Sequence, residues 1–245
     1  MMSPDTRRTA LITGASRGLG LVLARELAAQ GWALIVDARG AEALAAAEAE
    51  LARHTAVVAI AGDVTETGHR QALAEAAAKL GDLHLVVNNA SVLGPSPQPA
   101  LVDYPLDVLE QVYRTNVIAP LALLQLLRPA LQPGAVVINV TSDAAVEAYP
   151  GWGGYGSSKA ALDHLTAIFG AENPDLRVYA VDPGDMRTQM HQEAFPGEDI
   201  SDRPPPEDSV GAFMRLIHGQ LPSGRYQARL LTADDAVEAP MVEAS

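Results

Sequence analysis

Tyr155 and Lys159 place a phenol and an ammonium four residues apart in the run YGSSK, which opens an Ala/Leu-rich stretch. On a helix this spacing puts both groups on one face. A free phenol, with a pKa near ~10, is a poor proton carrier at neutral pH. A cation held ~4 Å away at an effective dielectric of ~20 favours phenolate by ~4 kcal/mol, or ~3 pKa units before desolvation losses. That would poise Tyr155 as a general acid or base. Tyrosine and lysine also meet at this spacing on ordinary helix surfaces, so their company matters. Ser142 follows the β-branched run Ala135–Val140, thirteen residues before Tyr155. There its hydroxyl could hold a carbonyl oxygen and stabilise the charge that develops on it. A turn or helix cap is the plainer role for a lone serine.

A second constellation lies near the start of the chain, in Thr13-Gly14-Ala15-Ser16-Arg17-Gly18-Leu19-Gly20. It sits between an apolar run and a helical pattern, where glycines let the backbone approach a pyrophosphate and free N–H groups at the helix start attract it. The spacing is G-x-x-x-G-x-G; a plain tight turn would rarely need three glycines. The next apolar run ends Asp37-Ala38-Arg39. An acidic side chain there would hold a ribose 2′-hydroxyl, whereas arginine would accept a 2′-phosphate. Arg17 adds a second guanidinium, and two suit a dianion. Solvated surface charge is the plainer reading of both arginines.

These groups need a scaffold, and the hydrophobic pattern supplies one. Short apolar runs read as buried parallel strands: 10–13, 33–37, 57–60, 83–87, 135–140 and 176–181, with a weaker seventh at 226–231. Helical spacing fills 19–30, 41–53, 68–80, 105–130, 156–170 and 207–219. Strand and helix alternate throughout, which predicts an α/β, doubly wound parallel sheet in one catalytic domain over 1–232. The Pro/Gly-rich stretch 184–206 reads as a mobile loop or lid, and the acidic 233–245 as a flexible tail.

Composition narrows the partners. The 245 residues include 30 acidic and 17 basic side chains, a formal net charge of −13 that repels nucleic acid and anionic membranes. The apolar stretch Val117–Leu127 is too short for a bilayer span, and the first nine residues lack a signal-peptide core. A cytoplasmic protein is expected. There is no cysteine, which excludes disulfides and a thiolate nucleophile, and six scattered histidines predict no metal site.

The chain resembles the short-chain dehydrogenase/reductase family over nearly its whole length. The likeness rests on TGASRGLG at 13–20, Asp63-Val64, NNA at 88–90, Asn116, Ser142, YGSSK at 155–159, and Pro183-Gly184 with Thr188, in the family's order. The resemblance implies a Rossmann-type fold with a seven-stranded parallel sheet and an extended NAD(P) cofactor. It would set Gly14, Gly18 and Gly20, with Ser16 and Leu19 between them, along the pyrophosphate. Asp63 and Val64 would meet the adenine, Asn88 and Ala90 the ribose side, and Pro183, Gly184 and Thr188 the carboxamide. Asn116, Ser142, Tyr155 and Lys159 would form the catalytic tetrad, with Lys159 also binding the nicotinamide ribose and Asn116 supporting a water beside it. The acidic residue of NAD-preferring members falls here on Ala38, so Asp37 should point away. Arg39 and Arg17 match the NADP-preferring pattern, so NADP(H) is favoured over NAD(H). One departure stands out: the family's NNAG reads NNAS, with Ser91 in place of glycine.

The implied activity is reduction of a ketone or aldehyde carbonyl with NADPH, reversibly oxidising the alcohol. A catalytically idle NADP-binding sensor is the alternative from another class; imine reduction, dehydration or epimerisation are variants on the same tetrad. Ser91, Val92, Ala144, Tyr149, Trp152, Met186 and Met190 are expected to line a rather apolar substrate pocket. Asp143, Glu147 and Asp185 could contact substrate, although solvated loop charge is the plainer reading. The apolar breadth of residues 155–170 fits a homo-dimer or homo-tetramer, the family's habit, or simple core packing.

Overall fold

The computed structural model describes residues 8–231; the acidic tail predicted at 233–245 lies outside them. Seven strands form one fully parallel sheet: β1 (Thr9–Ile12), β2 (Ala33–Ala38), β3 (Val57–Ala61), β4 (Leu83–Asn88), β5 (Leu131–Val140), β6 (Arg177–Asp182) and β7 (Gly224–Gln227). Their order is β3-β2-β1-β4-β5-β6-β7, so the winding reverses between β1 and β4. The registers place Ile12 beside Val36 on one side and Val87 on the other. Both faces of the central strands are covered, which is why these runs are continuously apolar. One layer of core gathers Ile12, Val36, Val87 and Ile138; the opposite layer gathers Leu11, Ile35, Val86 and Val137. Successive residues of one strand thus feed opposite layers, as the pleat requires.

The helices are α1 (Gly18–Ala29), α2 (Ala41–Leu51), α3 (Thr67–Leu80), α4 (Leu106–Tyr113), α5 (Ala119–Leu127), α6 (Gly153–Glu172), α7 (Gln189–Ala194) and α8 (Val210–His218). Two helical stretches and one strand differ from the sequence expectation. The single helix expected over 105–130 is divided by a π-helical turn at Arg114–Ile118, with Asn116 buried at its centre. Pro120 follows in the first turn of α5, where its missing N–H costs little. The stretch expected as a mobile loop or lid over 184–206 carries the short α7, whose first turn is capped by Thr188 accepting from the His191 N–H. The weak seventh strand begins two residues early, at Gly224, and gives way to a 3₁₀ turn at Ala228–Leu230.

Among the described residues no helix is long and apolar enough to cross a membrane.

Candidate active site

The reversal between β1 and β4 opens a crevice at the carboxyl ends of the strands, the ligand position in doubly wound sheets. A continuous cleft of about 1750 Å³ occupies it, running from Arg39 and Asp63 at one end to Trp152 and Met190 at the other.

Its floor is the turn between β1 and α1. Gly14 and Gly18 hold positive φ of 68° and 54°. A Cβ at Gly20 would meet the Gly14 carbonyl oxygen at 2.5 Å and Asn89 Nδ2 at 2.6 Å, so only glycine lets α1 start this close to the turn. The turn is fastened to β4 from both sides. Asn89 Nδ2 donates to the carbonyls of Thr13 and Gly14 at 2.9 and 3.1 Å, and the Asn89 and Ala90 N–H groups donate to Thr13 Oγ1 at 3.0 Å. Ser16, Arg17, Gly18 and Leu19 line the cleft here.

Asp37 turns inward, as its position one residue early requires. Its Oδ1 accepts the Gly14 N–H at 2.9 Å and its Oδ2 meets His69 Nε2 at 2.8 Å, with both side chains buried. Sequence reasoning missed His69, which carries no motif. The buried Ala38 follows, and Arg39 is exposed at the rim. Asp63 accepts at 2.8 Å from both the N–H and hydroxyl of Thr65. Burial pushes this carboxyl up, but the Thr65 hydrogen bonds and the nearby Arg39 charge outweigh it and hold it below its usual range. Val64 is buried beside it.

Asn88 corrects its expected place. Its Nδ2 donates to Asn139 Oδ1 at 2.7 Å, and Asn139 Nδ2 donates to Thr166 at 2.8 Å, a buried chain tying β4, β5 and α6. It is Asn89, not Asn88, that reaches the cleft. The spacing of the NNA run could not tell which of two adjacent asparagines faces out; the strand pleat decides.

At the far end, Ser142, Tyr155 and Lys159 converge on the cleft from the end of β5 and the first turns of α6. Tyr155 packs against Leu93 and Ala144 and meets the edge of Trp152 at 5.9 Å between ring centres. Lys159 is 2% exposed; its Nζ donates to the Val140 carbonyl at 2.7 Å and lies 5.5 Å from the centre of the Tyr155 ring. Burial pushes this ammonium down to about 8, against a raising pull from Asp163. The surroundings of the Tyr155 phenol oppose its ionisation in the protein without cofactor. Burial dominates, the Asp182 carboxylate adds to it, and the phenol is pushed above its ordinary range despite the facing hydroxyls of Ser142 and Ser91.

Ser142 donates to Asp143 Oδ1 at 2.9 Å and caps the following turn by accepting from the Ala144 N–H at 3.2 Å. Asp143 also takes the Tyr149 hydroxyl at 3.1 Å, so it is more than solvated charge. The Ser142 carbonyl accepts from Arg225 Nη2 at 3.0 Å, and the same guanidinium pairs with Asp163 at 2.9 Å and Asp182 at 3.6 Å. Arg225, on the weakly patterned β7, was invisible to motif reasoning. Asn116 spends its whole amide: Oδ1 accepts from Ser91 at 3.0 Å and the Val92 N–H at 2.9 Å, while Nδ2 donates to the Val92 carbonyl at 2.9 Å and Ser158 at 3.0 Å. The amide is saturated. The water assigned to Asn116 by resemblance is left only its main chain, in the π-turn.

Of the expected substrate lining, Ser91, Val92, Trp152, Met186 and Met190 border the cleft. Ala144 sits behind Tyr155, and Tyr149 lies out on the surface. Pro183, Gly184 and Thr188 border the opposite wall, and Arg17 Nη1 reaches across to Gln189 Oε1 at 2.7 Å.

The family model for short chain dehydrogenases matches residues 8–199. A sepiapterin reductase of Xenopus laevis is 36% identical over 202 residues, spanning 75% of each chain. A benzil reductase of Saccharomyces cerevisiae that forms (S)-benzoin is 34% identical over 193 residues, 75% of this chain and 74% of the relative. Among solved structures, a short chain dehydrogenase from Escherichia coli complexed with NADPH superposes with a TM-score of 0.81 at 28% identity, covering 91% of this chain and 96% of that one.

Proposed function

The chain belongs to the short-chain dehydrogenase/reductase family, and from that premise we propose that it is an NADPH-dependent carbonyl reductase working through Tyr155. The observation that carries this is the convergence of Tyr155, Ser142 and Lys159 on one cleft whose other end is the glycine turn. The residues present fit a dinucleotide. Gly14 and Gly18, both at positive φ, line the cleft at the start of α1, where free N–H groups suit a pyrophosphate. With Asp37 turned into the core, Arg39 at the rim and Arg17, which must share itself with Gln189, are the guanidiniums placed to meet a 2′-phosphate. Asp63, Val64 and Ala90 would wall the adenosine half; Pro183, Gly184 and Thr188 would wall the nicotinamide half. The bound cofactor supplies the hydride to the carbonyl carbon.

The protein's part is position and proton supply. Ser142 holds the carbonyl oxygen by turning its O–H from Asp143 to the substrate. Tyr155 gives that oxygen its proton: the phenol O–H breaks as the product alcohol O–H forms. Lys159 stabilises the phenolate left behind and would hold the nicotinamide ribose. Trp152, Met186 and Met190 exclude water and favour a carbonyl compound of apolar character.

One catalytic domain accounts for the single sheet. Exposed apolar side chains on the α4–α6 side, Leu106 at 76% and Ile118 at 55% among them, support a homo-dimer or homo-tetramer. The acidic, cysteine-free composition supports a cytoplasmic setting.

The test is a panel of ketones and aldehydes run with NADPH and NADH in parallel, with products identified. Alcohol formation faster with NADPH supports the reading. Equal or faster rates with NADH overturn the cofactor preference, and cofactor binding without any turnover would leave a binding protein.

A further inference from the structure

Ser91 stands where the family motif has glycine, and it brings a hydroxyl into the site. Ser91, Ser142 and Tyr155 line the same stretch of the cleft. The Ser91 hydroxyl gives its proton to Asn116 Oδ1 at 3.0 Å. The same oxygen also accepts the Val92 N–H at 2.9 Å. The Ser91 O–H can therefore leave Asn116 without stranding a buried acceptor, which is what makes the rotation cheap. The phenol sits in a buried, apolar setting beside Leu93 and Ala144, where a nascent phenolate has few donors to meet it.

We propose that Ser91 is a further catalytic residue, a second hydroxyl that swings from Asn116 to Tyr155 as the phenolate forms. The proposal rests on the reductase reading and adds to it. In reduction the Tyr155 O–H bond breaks and the substrate O–H bond forms; Ser91 neither gains nor loses a proton. Before transfer the Ser91 O–H rests on Asn116, leaving the phenol O–H free to meet the substrate oxygen. After transfer Ser91 donates to the phenolate, and Asn116 keeps Val92. In alcohol oxidation the same contact makes the phenol easier to deprotonate.

The test uses protein labelled at tyrosine 13Cζ, saturated with NADP⁺ and titrated from pH 6 to 11, the Tyr155 signal being assigned by its loss in Tyr155→Phe. In Ser91→Ala its midpoint should rise by about one pH unit, the effect of losing a hydrogen bond to a charged oxygen. Ser91→Thr should restore it. The pH profile of kcat for alcohol oxidation should move in step, with about tenfold slower turnover near neutrality and an unchanged KM for NADP⁺. An unmoved midpoint in Ser91→Ala, with only a lowered Tm or a raised substrate KM, would reduce Ser91 to a loop brace and overturn the proposal. Failure of the parent protein to bind NADP⁺ would instead overturn the reductase reading beneath it.

Discussion

Replacing Lys159 with methionine should stabilise the fold while abolishing turnover. The ammonium is 2% exposed, and burial brings it from 10.5 to about 8. That fall of about 2.5 units corresponds to about 3 kcal/mol by which the folded state disfavours the charged amine. Methionine removes this cost and fills a similar volume. It also leaves the Val140 carbonyl without its 2.7 Å partner, forfeiting about 1 kcal/mol. The net gain of about 2 kcal/mol raises Tm by roughly 4–8 °C in a chain of this size. The sign changes with pH in a defined window. Below pH 8 the lysine is protonated folded and unfolded, and the full penalty acts. Between 8 and 10.5 the unfolded chain holds the extra proton, so the parent gains stability as pH rises and its deficit against the variant closes. Thermal melts of both proteins without cofactor, at pH 7 and pH 10.5, read this out. A variant less stable at pH 7, or an offset identical at the two pH values, would refute the burial argument.

Other substitutions probe the remaining parts. Tyr155→Phe should bind NADPH normally but lose about 10²–10⁴-fold in kcat, the usual weight of a positioned acid, as steady-state assays and cofactor titration would show. Arg39→Ala should raise the KM for NADPH about tenfold or more and leave that for NADH unchanged; Arg17→Ala should do so more weakly, since Gln189 already holds it. Gly20→Ala, with its Cβ 2.5 Å from the Gly14 carbonyl, should lower stability by about 1–3 kcal/mol in urea unfolding and weaken cofactor binding with it. Arg225→Met should lower kcat more than it alters cofactor affinity, because it releases the Ser142 carbonyl and leaves Asp163 and Asp182 without their shared cation.

The central strands were plain in the sequence because burial on both faces forces unbroken apolar runs such as Ala135–Ile138. The edge strand β7 was faint because its residues are only half-buried and its register continues into a turn. The glycine turn and the Tyr155–Lys159 pair were legible because their chemistry dictates both residue type and spacing. What escaped was whatever depends on direction rather than type. Asn88 and Asn89 are the same residue to a motif, and only the pleat gives one to the core and the other to the cleft. His69 and Arg225 act across the sheet from positions with no local signature. For the phenol, charge separation can be read from spacing, whereas desolvation can be weighed only once the walls around Tyr155 are known.

Arg225 also makes the site depend on chain order. A polypeptide emerging from synthesis, or clipped before residue 220, would already possess six strands, the glycine turn and every tetrad member. It would still lack the guanidinium that grips the Ser142 carbonyl and neutralises Asp163 and Asp182. The environment of Ser142 is therefore completed only when the final strand is in place.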